Sequence, residues 1–315
     1  MSVFIARRLL SLLITLALAS VAIFLVLEVL PGDPAAVMLG TEARPDTLAA
    51  LRAELGLDRP ALARYLSWIG GVLTGDMGIS YTYRVPVSGL VVDRLAITVP
   101  LALLAILLST ALAIPLGLLA ASRHGRPADH GVMLFSQIGV AIPNFWFGLL
   151  LIMGLSTGLG WFSAGGFPGW GNGVGAALTS LLLPAIAMAL PQAAILARVT
   201  RSAVLDVLDE DFVRTARAKG LTRRVTLWRH VLRNALIPVV TVMGLQFSFL
   251  IAGAILVENV FTLPGLGRLV FQALAQRDLV VIKDVVLLLA ALVIVVNFCV
   301  DLAYGALDPR LKGRQ

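Results

Sequence analysis

One run in this chain has the spacing of a serine nucleophile's turn: Gly154-Leu155-Ser156-Thr157-Gly158, a G-x-S-x-G pattern. A serine there attacks a carbonyl only if a base lies within hydrogen-bond reach. The candidates are His124, His130 and His230, and hydropathy places all three across a membrane from Ser156, so the match is read as chance. Metal chemistry lacks its ligands as well, since there is no H-E-x-x-H run and Cys299 stands alone inside an apolar stretch. A nucleotide would need G-K-[ST], and no Gly-Lys pair occurs; the GNGVG run at 171–175 follows no strand and is no phosphate fingerprint. What remains is electrostatic: DEDFVRTARAKGL, residues 209–221, concentrates charge in a chain that is 59% hydrophobic and only 14% charged.

The elements that must position this segment follow from hydropathy. A mean hydropathy of +0.94 over 315 residues excludes a water-soluble domain. Six apolar runs, at about 9–30, 95–121, 131–157, 176–199, 234–257 and 285–304, approach or exceed the ~20 residues needed to cross a bilayer. Their unbroken apolar character predicts helices, because barrel strands alternate polar with apolar. The expected fold is an all-α polytopic membrane protein of six transmembrane helices, forming one domain over 1–315. Pro100, Pro115, Pro143, Pro184, Pro191 and Pro238 fall in or beside the spans and predict kinks. Arg7 and Arg8 ahead of Ala17-Leu18-Ala19 resemble a signal peptide, but the apolar run continues to Leu30 and reads as a retained anchor.

Basic residues set the orientation. With six spans both termini share a side, and that side carries 16 of the 25 Lys and Arg, nine of them between 198 and 233. By the positive-inside rule this side is cytoplasmic. The formal net charge of +7 is therefore explained by topology, and nucleic acid is not needed as a partner.

Within the cytoplasmic segment 206–230, acids precede bases. Asp209, Glu210 and Asp211 open the stretch, Arg214, Arg217 and Lys219 follow, and Gly220 supplies a left-handed stop. A helix over 210–219 is predicted. On it Phe212, Val213 and Ala216 share one arc, Arg214 and Arg217 occupy the next, and Thr215 and Ala218 lie opposite. So short a helix is not stable alone in water and must be docked. It either lies on the membrane surface with its cations at headgroups or enters a protein groove, and its small residues suit the groove.

The extracytoplasmic loop 31–94 carries apolar residues at helical spacing, Leu48, Leu51 and Leu55 after Pro45, then Leu62, Leu66, Ile69 and Leu73 after Pro60. Two short amphipathic helices are expected. Neutral amides Gln137, Asn144, Gln246 and Asn297 stand inside the spans, as pathway-lining groups or as helix-to-helix hydrogen bonds. An ion-coupled secondary transporter, the second class considered, needs ionisable groups at mid-membrane. Only Glu28 and Asp301 come near, both at span ends. Pro264-Gly265-Leu266-Gly267 predicts a turn followed by a helix carrying Leu269, Val270, Ala273 and Leu274.

The stretch FVRTARAKGLTRRVTLWRHVLRNALIP at 212–238 resembles the cytoplasmic EAA loop of binding-protein-dependent ABC importer permeases, in the form of the dipeptide, oligopeptide and nickel subfamily. PGDPAAVMLG at 31–40, LGLDRP at 55–60, GDMGIS at 75–80, AIPNFWFG at 141–148 and ENVFTLPGLGRLV at 258–270 agree with it in order. Two positions depart from the general pattern. Arg214-Thr215-Ala216 replaces Glu-Ala-Ala ahead of Gly220, and Arg233 stands at the proline position, with Pro238 following.

The resemblance implies a type I importer permease in a bacterial inner membrane, both termini cytoplasmic. It would work with a second homologous permease as a heterodimer, two ATP-binding subunits and an extracytoplasmic substrate-binding protein. Such a subunit is non-catalytic, holds no cofactor or metal, and leaves ATP and Mg to its partners. The implied ATPase-coupling residues are Phe212, Arg214, Thr215, Ala216, Arg217, Ala218, Lys219, Gly220 and Leu221. Pro264, Gly265, Leu266 and Gly267 are the implied binding-protein contact.

Overall fold

A computed structural model describes residues 2–29, 33–40 and 44–307. The basic tail counted above (Arg310, Lys312, Arg314) and Pro31-Gly32 lie outside the described residues. In chain order the helices are α1 (Ser2–Val29), α2 (Pro34–Leu39), α3 (Pro45–Glu54), α4 (Ala61–Thr74), α5 (Val87–Ser122), α6 (Pro127–Ala141), α7 (Asn144–Leu151), α8 (Val174–Leu208), α9 (Asp211–Ala218), α10 (Arg223–Val225), α11 (Leu232–Val260), α12 (Leu266–Gln276) and α13 (Leu279–Leu307). Wider π-helical turns extend α7 through Ile152–Gly158 and precede α11 at Thr226–Val231.

The centre of the bundle is the pair α5 and α8, with α11 laid across both and α6 against α8. Small side chains permit this approach. Ala102, Ala105 and Ala113 of α5 and Ala185, Ala193, Ala194 and Ala197 of α8 are fully buried, and small residues let helix backbones close on one another where lipid offers no competing hydrophobic gain. By contrast α1 meets the bundle chiefly through α13 and leaves Leu10, Leu18 and Val26 about 60% exposed. That apolar flank suits hydrocarbon.

Among the described residues five continuous helices are long and apolar enough to cross a membrane, and a bent pair, α6 with α7 and its extension to Gly158, makes up a further stretch of that length and character. The expectation of one run over 131–157 is corrected: α6 and the α7 helix meet at 99°. Pro143 is the cause. It has no N–H to give the preceding turn, and its ring pushes Ile142 out of the helical region to φ −86°, ψ 121°. Pro100, Pro115, Pro184, Pro191 and Pro238 stay within unbroken helices.

Two helices begin well before the apolar runs they carry. The helix of the second run starts at Val87, ahead of residue 95, and that of the last at Leu279, ahead of 285. In each the charges stand one to two turns in, Asp93-Arg94 of α5 and Lys283-Asp284 of α13, where they lower local hydropathy while distant partners engage Arg94 and Asp284: Arg94 Nη1 donates to the Pro264 carbonyl at 3.2 Å. Trp68 Nε1 donates to Asp284 at 2.5 Å, and Ser80 Oγ and the Thr82 amide donate to Asp278 at 2.5 and 3.0 Å. The two predicted amphipathic helices of the outer loop are α3 and α4.

Candidate functional site

The charge-dense segment folds as a short helix standing on the end of α8. Glu210, at φ −71° and ψ 145°, turns the chain out of α8, and α9 runs from Asp211 to Ala218. The predicted bounds were 210–219. Lys219 closes the helix, then Gly220 takes φ +83°, so that its N–H reaches Arg217 O (2.9 Å) and the Leu221 N–H reaches Ala216 O (3.3 Å). Nothing would stand within 4 Å of a Cβ at Gly220. Its glycine is required by backbone angle and not by crowding.

Two side chains attach α9 to the body. Val213 is fully buried in the cluster formed by Val204, Leu227, Val231 and Leu232, and Ala216 is 7% exposed. Ala216 was expected on a partner-facing surface; at i+3 from Val213 it turns inward, and this is a correction. The exposed surface consists of Asp211, Phe212, Arg214, Thr215, Arg217, Ala218, Lys219, Gly220 and Leu221. Arg214 makes a loose pair with Asp211 at 3.4 Å on the helix surface. A pair this exposed adds little stability. The segment thus projects cations and small side chains around one half-exposed aromatic ring.

Beneath α9 the trunk is tied by a buried ion pair absent from the sequence reading. Asp129, 3% exposed, receives Arg201 Nε at 2.5 Å and Nη2 at 2.8 Å, the Gly125 amide at 2.9 Å, and stands 3.0 Å from His124 Nδ1. Arg223 adds a hydrogen bond to the Ser122 carbonyl. The turn after α5, the start of α6 and the last turns of α8 are therefore one block.

The remaining predicted site residues do not converge. Gln246 is buried in α11 and donates Nε2 to the Gln192 carbonyl of α8 at 3.0 Å, so it joins helices and does not line a pathway. Asn144 opens α7 just after the Pro143 break, its Oδ1 accepting the N–H of the adjacent Phe145 at 2.8 Å. Gln137 is exposed on α6. The G-x-S-x-G run lies in the π-helical turn Ile152–Gly158, not on a strand-to-helix elbow.

Pro264-Gly265-Leu266-Gly267 is corrected more sharply. Gly265, Leu266 and Gly267 are buried and only Pro264 is partly exposed, so three of the four cannot present a docking surface. The reason is Glu258, fully buried near the end of α11. Its Oε1 accepts Thr98 Oγ1 at 2.6 Å and its Oε2 the Arg268 amide at 3.1 Å, while Thr98 also accepts the Leu266 amide at 2.9 Å. A Cβ on Gly265 would overlap the Glu258 carboxyl. Gly265→Ala is therefore expected to cost about 1–3 kcal/mol of stability, as overpacking does. A thermal melt of the purified chain, with Gly175→Ala as an uncrowded control, measures it; equal melts would refute the clash.

Two family models cover nearly the whole chain: binding-protein-dependent transport system inner membrane component over residues 113–313, and the N-terminal component of the same systems over 1–102. The chain belongs to this family. The "Probable peptide ABC transporter permease protein y4tP" of Sinorhizobium fredii is 39% identical to the permease over 312 residues, covering 99% of this chain and 100% of the relative. The dipeptide transport system permease protein DppB of Escherichia coli K12 is 40% identical over 337 residues, with 99% of each covered. Among solved structures, the inward-facing MetNI methionine ABC transporter matches with a TM-score of 0.56 at 20% identity, over 70% of this chain and 96% of that one. The permease thus has the type I importer fold.

Proposed function

We propose that the permease is one membrane subunit of an ATP-driven importer of di- or oligopeptides or a related solute, and that α9 is its coupling helix. The projecting face of α9 carries this reading. Arg214, Thr215, Arg217, Ala218 and Lys219 are exposed while Val213 and Ala216 anchor the helix to the block held by Asp129 and Arg201. The peptide assignment is supported by the names of the relatives.

In this reading both termini are cytoplasmic and the chain supplies half of the translocation pathway. A second, homologous but non-identical permease supplies the other half. Two ATPase subunits, which bind ATP and Mg, receive one coupling helix each, and an extracytoplasmic binding protein delivers solute. ATP-driven closure brings the two α9 helices together, and the rigid block transmits that displacement to α5, α6 and α8 as a tilt between inward-open and outward-open states.

Crosslinking tests the docking. In a Cys299→Ser background, Thr215→Cys and Ala218→Cys are expected to crosslink to an ATPase subunit in the assembled complex. Gly175→Cys, exposed at the opposite end of α8, is not. Crosslinks only to lipid, with solute uptake proceeding when the ATPase subunits are absent, would overturn the reading in favour of an ion-coupled carrier.

A further inference from the structure

We propose that the crevice between α1, α4 and α13, at the end of the bundle remote from α9, seats the phosphate headgroup of a phospholipid from that leaflet. It is a cavity of about 550 Å³ roofed by the turn after α3 and the loop before α5. Its wall holds donors that the protein leaves without acceptors. Lys283 Nζ stands 5.5 Å over the Trp68 ring, and no ion pair to it is found among the described residues. Arg64 pairs with Glu28, yet its Nε is buried with no hydrogen-bond partner. Asp284, beside Lys283 in sequence, uses its Oδ1 to accept the Trp68 indole N–H; its Oδ2 is buried without a partner, and the residue does not line the cavity. Unsatisfied buried donors are expensive. An anion would satisfy both at once.

The character of the other walls selects a lipid. Phe24 and Leu27 of α1 form one side of the cavity, and the neighbouring Leu25 and Val26 are 54% and 62% exposed on the helix flank that faces outward. The crevice therefore borders the hydrocarbon layer, where phospholipid headgroups are present at far higher local concentration than any solute. With Glu28 and Arg64 paired, the wall keeps Arg59, Arg84 and Lys283 against Glu54 and Asp76. Both signs are present, so the cations have a phosphate to hold and the acids an ammonium. That balance matches a phosphate carrying an ammonium, as in phosphatidylethanolamine, and ion pairing of phosphate to Lys and Arg is charge-assisted and strong.

Native mass spectrometry of the assembled complex, from nanodiscs holding equal phosphatidylethanolamine and phosphatidylglycerol, tests this. The wild type is expected to retain one phospholipid on this chain, phosphatidylethanolamine before phosphatidylglycerol. Lys283→Met should lower that retention by about tenfold, the weight of one charge-assisted contact, and Lys283→Arg should keep it. Unchanged retention in Lys283→Met overturns the proposal. So does equal occupancy by added sn-glycerol 3-phosphate, which would make the site one for soluble phosphate. If Lys283→Met fails to assemble, Arg84→Ala on the exposed loop is read instead, and wild-type retention there overturns it equally.

Discussion

Arg201→Met is expected to destabilise the permease by about 3–5 kcal/mol, the loss typical when one partner of a buried ion pair is removed. Asp129 is 3% exposed and receives two of its hydrogen bonds from Arg201. With the guanidinium gone, the carboxylate keeps only the Gly125 amide and His124, whose side chain is 61% exposed. A buried charge would then lack its principal counter-ion. The double variant Asp129→Asn/Arg201→Met removes the uncompensated charge and should recover much of the loss, since the intact pair itself is worth little against neutral groups. Denaturant titration of the detergent-purified chain, followed by far-ultraviolet circular dichroism, measures all three. A single variant as stable as wild type, or a double variant worse than the sum of the singles, would refute this account of the block beneath α9.

That block also marks where the sequence is legible and where it is not. The apolar runs are readable because lipid imposes one rule along the whole helix: every backbone group must be satisfied within the segment. α9 is readable for a related reason, as its acids, bases and Gly220 are local signals spaced by less than one helix length. The α6 to α7 break was half legible. Pro143 announced a kink, but whether a proline bends a helix or ends it depends on packing at Ile142, which no spacing encodes.

The polar joints were invisible because their partners are remote. Asp129 meets Arg201 across 72 residues, Glu258 meets Thr98 across 160 and Asp284 meets Trp68 across 216. Each acid looks, in its own window, like loop. Pro264-Gly265-Leu266-Gly267 misled in the opposite sense: its composition signals an exposed turn, while its glycines are there because Gly265 lies against the Glu258 carboxyl and Gly267 against the Ile255 backbone. Close approach and free rotation ask for the same residue. Only the three-dimensional neighbours separate them.

Gly220→Val is expected to leave the permease inserted and assembled but to abolish transport-linked ATP hydrolysis. Gly220 holds φ +83°, where a β-branched residue is strained by about 1–3 kcal/mol. A strain of that size lowers the population of the tight turn by about 5–150-fold. In the proposed mechanism the turn is the return strut of α9, which enters from α8 and leaves through Gly220 to Thr222, whose hydroxyl accepts the Val225 amide at 3.4 Å and starts α10. If the turn relaxes, α9 is still held by Val213 but its cationic end is no longer fixed, so closure of the ATPase subunits moves a loose lever. Gly220→Asn separates geometry from bulk. Asparagine tolerates the left-handed region, and no atom lies within 4 Å of the Cβ position within the chain, so this variant should retain most of the coupling. Solute-stimulated ATPase activity of complexes reconstituted in proteoliposomes is the measurement. Wild-type coupling in Gly220→Val would sink the strut mechanism; equal loss in the Asn and Val variants would replace backbone strain with a steric clash against the docked partner.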